Sequence, residues 1–133
     1  MHSPAFALTT QQGSICKPYA NVSPTGLSSQ LNGIYNFSGA AMNVICPVVR
    51  TAAAPAGGFS VWVDGNASSG TAYCYLYSYN YNQQFMGATS FTATGTFSNL
   101  LTLPQSQVPT YSSQAVFCGL PNGGGIFDVE PVQ

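Results

Sequence analysis

The segment at residues 71–85 constrains the fold of this chain most, because tyrosine occupies every second position from Tyr73 to Tyr81. Alternate side chains of an extended strand point to opposite faces of a sheet. The pattern therefore predicts a strand with a row of tyrosines on one face and with Cys74 and Leu76 on the side that faces the core. The predicted row consists of Tyr73, Tyr75, Tyr77, Tyr79 and Tyr81.

A second alternating segment, residues 59–64, is separated from the tyrosine segment by the turn-like residues 65–70. Two alternating segments around a linker rich in Gly, Asn and Ser are typical of a β-hairpin. In the register that keeps the apolar side chains on one face, Val61 lies opposite Cys74 and Trp62 joins the tyrosine row. The only tryptophan of the chain is therefore predicted to extend that row.

Turn signals at short intervals divide the rest of the chain into further short strands, and no segment has the period of an amphipathic helix. The further predicted strands are residues 33–37, 42–49, 86–93, 95–103, 111–120 and 126–130. About eight strands in a chain of this length predict an all-β, single-domain antiparallel β-sandwich of immunoglobulin-like or jelly-roll topology. The domain is predicted to comprise residues 8–133.

The four cysteines are too widely spaced in the sequence for a CxxC redox or zinc motif, and two disulfides are the preferred interpretation. Cys74 and Cys118 are each followed at the second position by leucine, so they share an inward phase and are predicted to pair. Cys16 is then predicted to pair with Cys46. Because disulfides persist in oxidising compartments, we expect a secreted, periplasmic or cell-surface protein.

Residues 1–7 end in Ala-Phe-Ala, which is similar to the small-x-small end of a secretory signal peptide. A complete signal also has a basic segment and a longer apolar run, and neither is present in these residues. Residues 1–7 are therefore interpreted as a leader remnant or as residues foreign to the domain, with a chance similarity as the open alternative.

Charged side chains are scarce, since the chain carries two cationic and three acidic residues. Each neutralised phosphate needs its own Lys, Arg or oriented amide, so no nucleic-acid partner is expected. Apolar stretches are interrupted by Gly, Pro and Ser before they reach the length that crosses a bilayer, so no membrane span is expected. Solubility must rest on uncharged polar residues.

Three short motifs accompany the cysteines: CPVVR at residues 46–50, CYLYS at residues 74–78 and CGLP at residues 118–121. Together with Ile126 and Glu130, they resemble a family of small exported bacterial proteins of unknown function, in which a CPV strand, a CxL strand and a terminal CxLP strand recur. The resemblance implies export and a disulfide-bonded β-domain, and it implies no catalytic residue.

Few residues suit acid–base or nucleophilic catalysis. His2 is the only imidazole and lies near the terminus, and paired cysteines leave no thiolate nucleophile. Asp128 and Glu130 stand two apart on a predicted strand, which places their carboxyl groups about 7 Å apart, as in inverting glycosidases. The preferred alternative is that both belong to the solvated face of a terminal edge strand, or pair with Arg50 or Lys17.

The turn Asp64-Gly65-Asn66 offers oxygen ligands but too few carboxylates for a calcium loop. Asp-Gly is first of all a turn dipeptide. The sequence therefore predicts no metal site and no cofactor.

The aromatic row remains as the candidate binding surface, because Tyr and Trp combine large apolar faces with polar tips. The first hypothesis is an exported, non-enzymatic structural or interaction domain that associates through this face with itself or with another exported protein. The alternative is a carbohydrate-binding module, and a glycosidase-like enzyme is third. A purely architectural role, with the rings covered by a second sheet, stays open. The hypothetical binding residues are Trp62, Tyr73, Tyr75, Tyr77 and Tyr79.

Overall fold

The computed structural model describes residues 11–19, 25–50 and 53–132. Within these ranges the chain forms nine strands, every strand pairing is antiparallel, and no helix is long and apolar enough to cross a membrane. The strands are β1 (Gln11–Gln12), β2 (Lys17–Pro18), β3 (Leu27–Gln30), β4 (Gly33–Asn36), β5 (Met42–Val48), β6 (Phe59–Asn80), β7 (Phe85–Leu103), β8 (Ser112–Leu120) and β9 (Gly125–Val132). Short 3-10 turns lie at Gly13–Ile15 and Gln105–Gln107. The interpretation of residues 1–7 lies outside the described residues.

Strands β6 and β7 are unusually long, and together they form a hairpin whose register breaks at its middle. Residues 67–70 of β6 stand opposite Gly95 alone, between the pairs Asn66 with Thr96 and Thr71 with Thr94. Gly95 has a φ of +63°, in the left-handed region that glycine adopts without steric cost. The irregularity lets the long hairpin bend, as bulges do, so that each half joins a different part of the sheet.

The bend divides the sheet into two layers. In the first layer, residues 59–66 of β6 pair with β9 on one side and with residues 96–103 of β7 on the other, and β9 continues to β4 and β3. In the second layer, residues 71–80 of β6 pair with β8 and with residues 85–94 of β7, and β8 continues to β5 and β2. The short strand β1 pairs with β9.

One core fills the space between the layers, because the inward side chains of both belong to a single buried cluster. Its largest fully buried members come from six strands, β4 to β9: Phe59, Ile34, Leu76, Leu101, Leu103, Leu120, Ile126, Val44, Val61, Val63, Val116 and Val129. Burial of these side chains supplies the main driving force for folding. The predicted class, an all-β antiparallel sandwich, is confirmed.

The hairpin predicted around residues 65–70 is wrong, because β6 continues through them as one strand. Close packing gives the local reason: a Cβ at Gly65 would overlap the Phe97 ring and the Gly125 carbonyl, and a Cβ at Gly70 would crowd Pro121. The two glycines therefore allow neighbouring groups to pack closely against the backbone of a bent strand. The reversal lies instead between β6 and β7, where the Asn80 side chain organises the turn.

Both predicted disulfides are confirmed, since Cys16 bonds to Cys46 and Cys74 bonds to Cys118. Cys74 and Cys118 are directly opposed in the pairing of β6 with β8, and their shared inward phase is what the sequence indicated. Cys46 lies in β5, and Cys16 immediately precedes β2. The Cys74–Cys118 crosslink therefore joins two strands of the second layer, and the Cys16–Cys46 crosslink ties the segment before β2 to β5 of the same layer.

Candidate functional site

The tyrosine row occupies the outer face of the second layer. Along β6 the residues at 72, 74, 76 and 78 are buried in the core, and the tyrosines at 73, 75, 77 and 79 alternate with them. Tyr73 and Tyr79 are each 37% exposed, while Tyr75 and Tyr77 are half-buried by their neighbours. The predicted alternation is confirmed from Tyr73 to Tyr79, and these rings are accessible from solvent. Tyr81, the fifth member of the predicted row, lies instead in the turn that follows β6.

Tyr73 lies across the neighbouring strand at one end of the row. Its ring covers Gly119 of β8, where a Cβ would overlap the ring, and its hydroxyl donates to the Asn43 side-chain oxygen at 3.0 Å. The ring plane is turned by 81° from that of Tyr75. Because position 119 is glycine, the Tyr73 ring can pack against the backbone of β8, and its hydroxyl can form a hydrogen bond with Asn43 of β5.

The next three tyrosines adopt a different arrangement, with ring planes nearly parallel. The centroids of Tyr75 and Tyr77 are 5.6 Å apart at an interplanar angle of 20°, and those of Tyr77 and Tyr79 are 6.5 Å apart at 28°. Phe85, at the start of β7, meets Tyr79 edge-on with a centroid distance of 5.9 Å. Such ring contacts restrict the rotation of the side chains, so the aromatic surface is held in one arrangement.

A depression of ≈ 250 Å³ opens beside the parallel rings. Its lining consists of Tyr19, Ile45, Tyr77, Tyr79, Ala115 and Phe117. Ala115 is the cross-strand partner of Tyr77, and its small side chain leaves space between larger neighbours on either side. Tyr19 meets Phe117 edge-on with centroids 4.8 Å apart. The result is a concave site with aromatic walls.

Most of this lining was missed by the sequence analysis, which considered the β6 row alone. Ile45 and Phe117 are outward residues of strands that the sequence predicted, and their phase opposite to Cys46 and Cys118 was the signal that could have placed them on this face. Tyr19 follows a two-residue strand in a segment predicted as loop, so the sequence carried no comparable signal for it.

The hydroxyl of Tyr77 stays protonated over a wide pH range. Burial is the first cause that raises the pKa of Tyr77, and the neighbouring tyrosines Tyr75, Tyr79, Tyr19 and Tyr73 raise it further. A neutral phenol both donates and accepts a hydrogen bond. The depression therefore presents an uncharged wall with a polar tip.

Trp62 does not join the tyrosine row. It lies in the first layer, opposite Leu100 of β7 and Glu130 of β9, and its side chain is half-buried. Trp62 and Tyr73 therefore belong to outer faces on opposite sides of the sandwich. The predicted pairing of Trp62 with the tyrosine row is wrong, because it rested on the hairpin that the continuous β6 replaces.

The outer face of the first layer carries a cluster of three carboxyl groups. Asp64 and Asp128 are cross-strand partners, Glu130 lies two residues after Asp128 on β9, and an oxygen of each lies within 4.8 Å of the others. Asp64 is 3% exposed and Glu130 is 4% exposed. The predicted solvated edge strand is therefore wrong, because β9 lies between β6 on one side and β4 and β1 on the other.

Mutual repulsion and burial disfavour three negative charges in this cluster. The pKa of Asp128 is raised to about 8, first by burial and then by Asp64 and Glu130. The cluster can keep a proton at neutral pH, or its oxygens can surround a divalent cation, since hard cations prefer carboxylate ligands. Arg50 is engaged elsewhere: it donates to Gln114 and to the carbonyl oxygens of Pro109 and Thr110. His2 lies outside the described residues.

Comparison with known proteins shows the fold. No protein-family model matches the chain, and no curated protein matches it. Among solved structures, the xylan-binding module CBM15 matches with a TM-score of 0.58 at 11% identity, covering 96% of this chain and 96% of that one. TmCBM61 in complex with β-1,4-galactotriose matches with a TM-score of 0.48 at 15% identity, covering 95% of this chain and 88% of that one. The likeness to CBM15 agrees with the β-sandwich described above.

Proposed function

We propose that this chain is a non-catalytic carbohydrate-binding module, and that its tyrosine face binds a neutral polysaccharide. The observation that carries the proposal is the depression between Tyr77, Tyr79, Tyr19 and Phe117, with ordered aromatic walls and phenolic tips. The sequence-based alternative thereby becomes the favoured function.

The chemistry of sugars suits such a surface. A pyranose ring has apolar C–H faces that pack on aromatic rings, and its hydroxyl groups need hydrogen-bond partners at the edges. Tyrosine supplies both elements in one side chain with few rotatable bonds, so little conformational entropy is lost on binding. The parallel rings of Tyr75, Tyr77 and Tyr79 repeat along the strand, which matches the repetition of a polymer.

The distribution of charge favours a neutral ligand. The three described carboxyl groups lie on the opposite layer, and Lys17 reaches the tyrosine face beside its cross-strand partner Ile45. Among the residues described in the depression lining, none is charged. Recognition of a polyanion would need several cations at this surface, because each anionic group requires a partner.

Xylan is the first ligand to test, because the module of similar fold is described as xylan-binding. An extracellular location agrees with this function and with the two disulfides, which persist in oxidising compartments. The carboxylate cluster takes no part in the proposed function, which requires no hydrolysis.

Isothermal titration calorimetry with a panel of neutral β-linked oligosaccharides, xylohexaose first, tests the proposal. We expect Tyr77→Ala to weaken binding at least about tenfold, because the ring forms a wall of the depression. Trp62→Ala is the matched control: it removes a large aromatic side chain from the opposite layer and should leave affinity within about twofold.

Two results would contradict the proposal. One is the absence of binding to every oligosaccharide in the panel by a folded protein, and the other is a larger loss for Trp62→Ala than for Tyr77→Ala. Light scattering on the same samples separates the other sequence-based hypothesis, because self-association through the tyrosine face would give a dimer mass that Tyr77→Ala abolishes.

A further inference from the structure

We propose that the binding face continues past Tyr79 into a second subsite at the far end of β6, where Tyr81 and Tyr111 hold further sugars of the same chain. This inference rests on the proposed function and specifies its substrate class: an extended neutral oligosaccharide bound along its length. A short oligosaccharide would occupy the first depression alone.

The second subsite is an open depression of ≈ 360 Å³ at the end of the second layer. Its lining includes Asn80, Tyr81, Gln83, Tyr111, Ser112 and Ser113. Amide and hydroxyl groups predominate here, in contrast to the apolar floor of the first depression. Such groups suit the hydroxyl edges of sugar rings, since each can donate or accept a hydrogen bond.

The two depressions adjoin along the sheet. Tyr79 of the first depression is the cross-strand partner of Ser113 in the second, and Asn80 is the partner of Ser112. Strand neighbours of an antiparallel pair lie about 5 Å apart, so no other element separates the two sites. One continuous ligand can therefore contact both.

Tyr81 and Tyr111 are far more exposed than the tyrosines of the row. Tyr81 is 75% exposed and Tyr111 is 78% exposed, against 37% for Tyr79. A ligand that covers a highly exposed aromatic ring gains more binding free energy than one that covers a half-buried ring, because more apolar surface is removed from water. Both rings border the same depression, so one ligand can cover the two together.

The segment that carries Tyr81 is held in place by its own turn. The Asn80 side-chain oxygen accepts hydrogen bonds from the amides of Asn82 at 2.9 Å and Gln84 at 3.0 Å, and the Asn80 amide group donates to the Gln84 side chain at 2.9 Å. Gln83 adopts a φ of +65°, which completes the turn. Asparagine commonly fixes turns in this way.

The segment that carries Tyr111 is held from the side of the protein. Arg50 donates to the carbonyl oxygens of Pro109 at 3.1 Å and Thr110 at 2.9 Å, and also to the Gln114 side chain at 3.1 Å. Gln114 is buried and donates to the Ser78 hydroxyl at 3.0 Å. Both exposed rings therefore stand on braced segments, which lowers the entropic cost of binding.

The chemistry of the lining favours a carbohydrate as the ligand of the second subsite. Among the residues described there, none is charged, and the polar groups alternate with two exposed aromatic rings. A second copy of this chain is the other conceivable occupant. It would have to bury the many amides and hydroxyls against matched partners, whereas the hydroxyl groups of a sugar can themselves donate to and accept from these side chains.

The experiment is a titration series with xylo-oligosaccharides from the disaccharide to the hexasaccharide, on the unmodified chain and on Tyr81→Ala/Tyr111→Ala. We expect the affinity of the unmodified chain to rise with length throughout the series. The affinity of the double variant for the hexasaccharide should be about tenfold lower than that of the unmodified chain. Its affinity for the shortest oligosaccharide that binds measurably should stay within about twofold. Both side chains are exposed, so the fold should be kept, and circular dichroism verifies it.

The outcomes separate the two proposals. If the unmodified chain binds no oligosaccharide, the proposed function fails and this inference fails with it. If the chain binds but the double variant keeps full hexasaccharide affinity, or loses short and long ligands equally, the second subsite is refuted and the proposed function stands. A dimer mass that the double variant abolishes would assign the surface to a second copy, which also overturns the inference.

Discussion

The outer faces of the two layers differ in what they carry, although the same strand, β6, contributes to both. The second layer exposes an aromatic face, whose depression has no charged lining residue among those described, above two disulfides. The first layer carries the three-carboxyl cluster and Trp62, with neither disulfide. The two layers therefore differ in role within the fold: one is crosslinked by disulfides and carries the aromatic depression, whereas the other contains groups whose burial costs stability.

The break in the β6–β7 register produces this division. Four residues of β6, 67–70, stand opposite the single Gly95, so β6 gains three residues over β7. Because three is odd, the side-chain phase of β6 reverses. Val61 and Val63 point inward before the break, and Ala72 and Cys74 point inward after it. The odd-numbered residues of β6 therefore face solvent only in the second layer.

The largest expected effect concerns the bracing of the second layer. Removal of the disulfide beneath the tyrosine row, by Cys74→Ala/Cys118→Ala, should lower the free energy of unfolding by about 2–4 kcal/mol, because the unfolded chain regains the freedom of the closed loop. Urea denaturation measures this loss. Cys16→Ala/Cys46→Ala is the matched variant, with a loop of similar size. Wild-type stability in both variants would contradict covalent bracing of this layer.

The next effect concerns the carboxyl cluster of the first layer. Because the folded-state pKa of Asp128 is raised to about 8 from 3.8, the folded chain keeps a proton that the unfolded chain releases. This contribution to stability is complete below about pH 4 and is lost as the pH rises towards about 8. Asp128→Asn should therefore flatten the stability profile and, at pH 8, stabilise the fold by about 1–2 kcal/mol, a value reduced for solvent screening.

Urea denaturation between pH 4 and pH 8, with EDTA present to remove divalent cations, tests this expectation. Lys17→Gln serves as the charge control on the second layer, where loss of an exposed cation should change stability by less than about 0.5 kcal/mol. A wild-type profile that is flat or rises with pH in this window would contradict the assigned pKa direction.

The smallest expected effect distinguishes the two ends of the tyrosine row. Tyr73→Phe removes the hydrogen bond to Asn43 and should lower stability by about 0.5–1 kcal/mol, the usual net value of one such bond. Xylo-oligosaccharide affinity should change by less than about twofold, because Tyr73 is not part of either depression. A tenfold loss of affinity would instead indicate that the binding site lies at the Tyr73 end of the row, near Gly119.

Local patterns in the sequence were sufficient to predict the fold class, the tyrosine alternation and both disulfides. The fold class followed from the number of short strands between turn signals, and the tyrosine alternation followed from the period of one strand. The shared phase of Cys74 and Cys118 predicted one disulfide and left Cys16 and Cys46 for the other. The hairpin was wrong because a segment rich in glycine can either reverse the chain or permit a bent strand, and the choice depends on contacts of Gly65 and Gly70 with Phe97 and Pro121. Those residues are distant in sequence.

The candidate site was only half predictable for the same reason. The row from Tyr73 to Tyr79 followed from the period of one strand, and the phase of Phe117 could have placed its side chain on the same face. Tyr19 reaches the depression through strand order, which no local pattern specifies. The carboxyl cluster was interpreted as solvated because Asp128 and Glu130 were assigned to an edge strand. Burial of Glu130 depends on the position of β9 between other strands.

Nuclear magnetic resonance tests the central claim, that the tyrosine face of the second layer binds a neutral glycan, most directly. Titration of xylohexaose into the isotopically labelled chain should shift the ring signals of Tyr77 and Tyr79 and the amide of Ala115, and should leave the Trp62 indole signal unchanged. Shifts centred on Trp62 and the carboxyl cluster, or no shifts with any neutral oligosaccharide of the panel, would contradict the account.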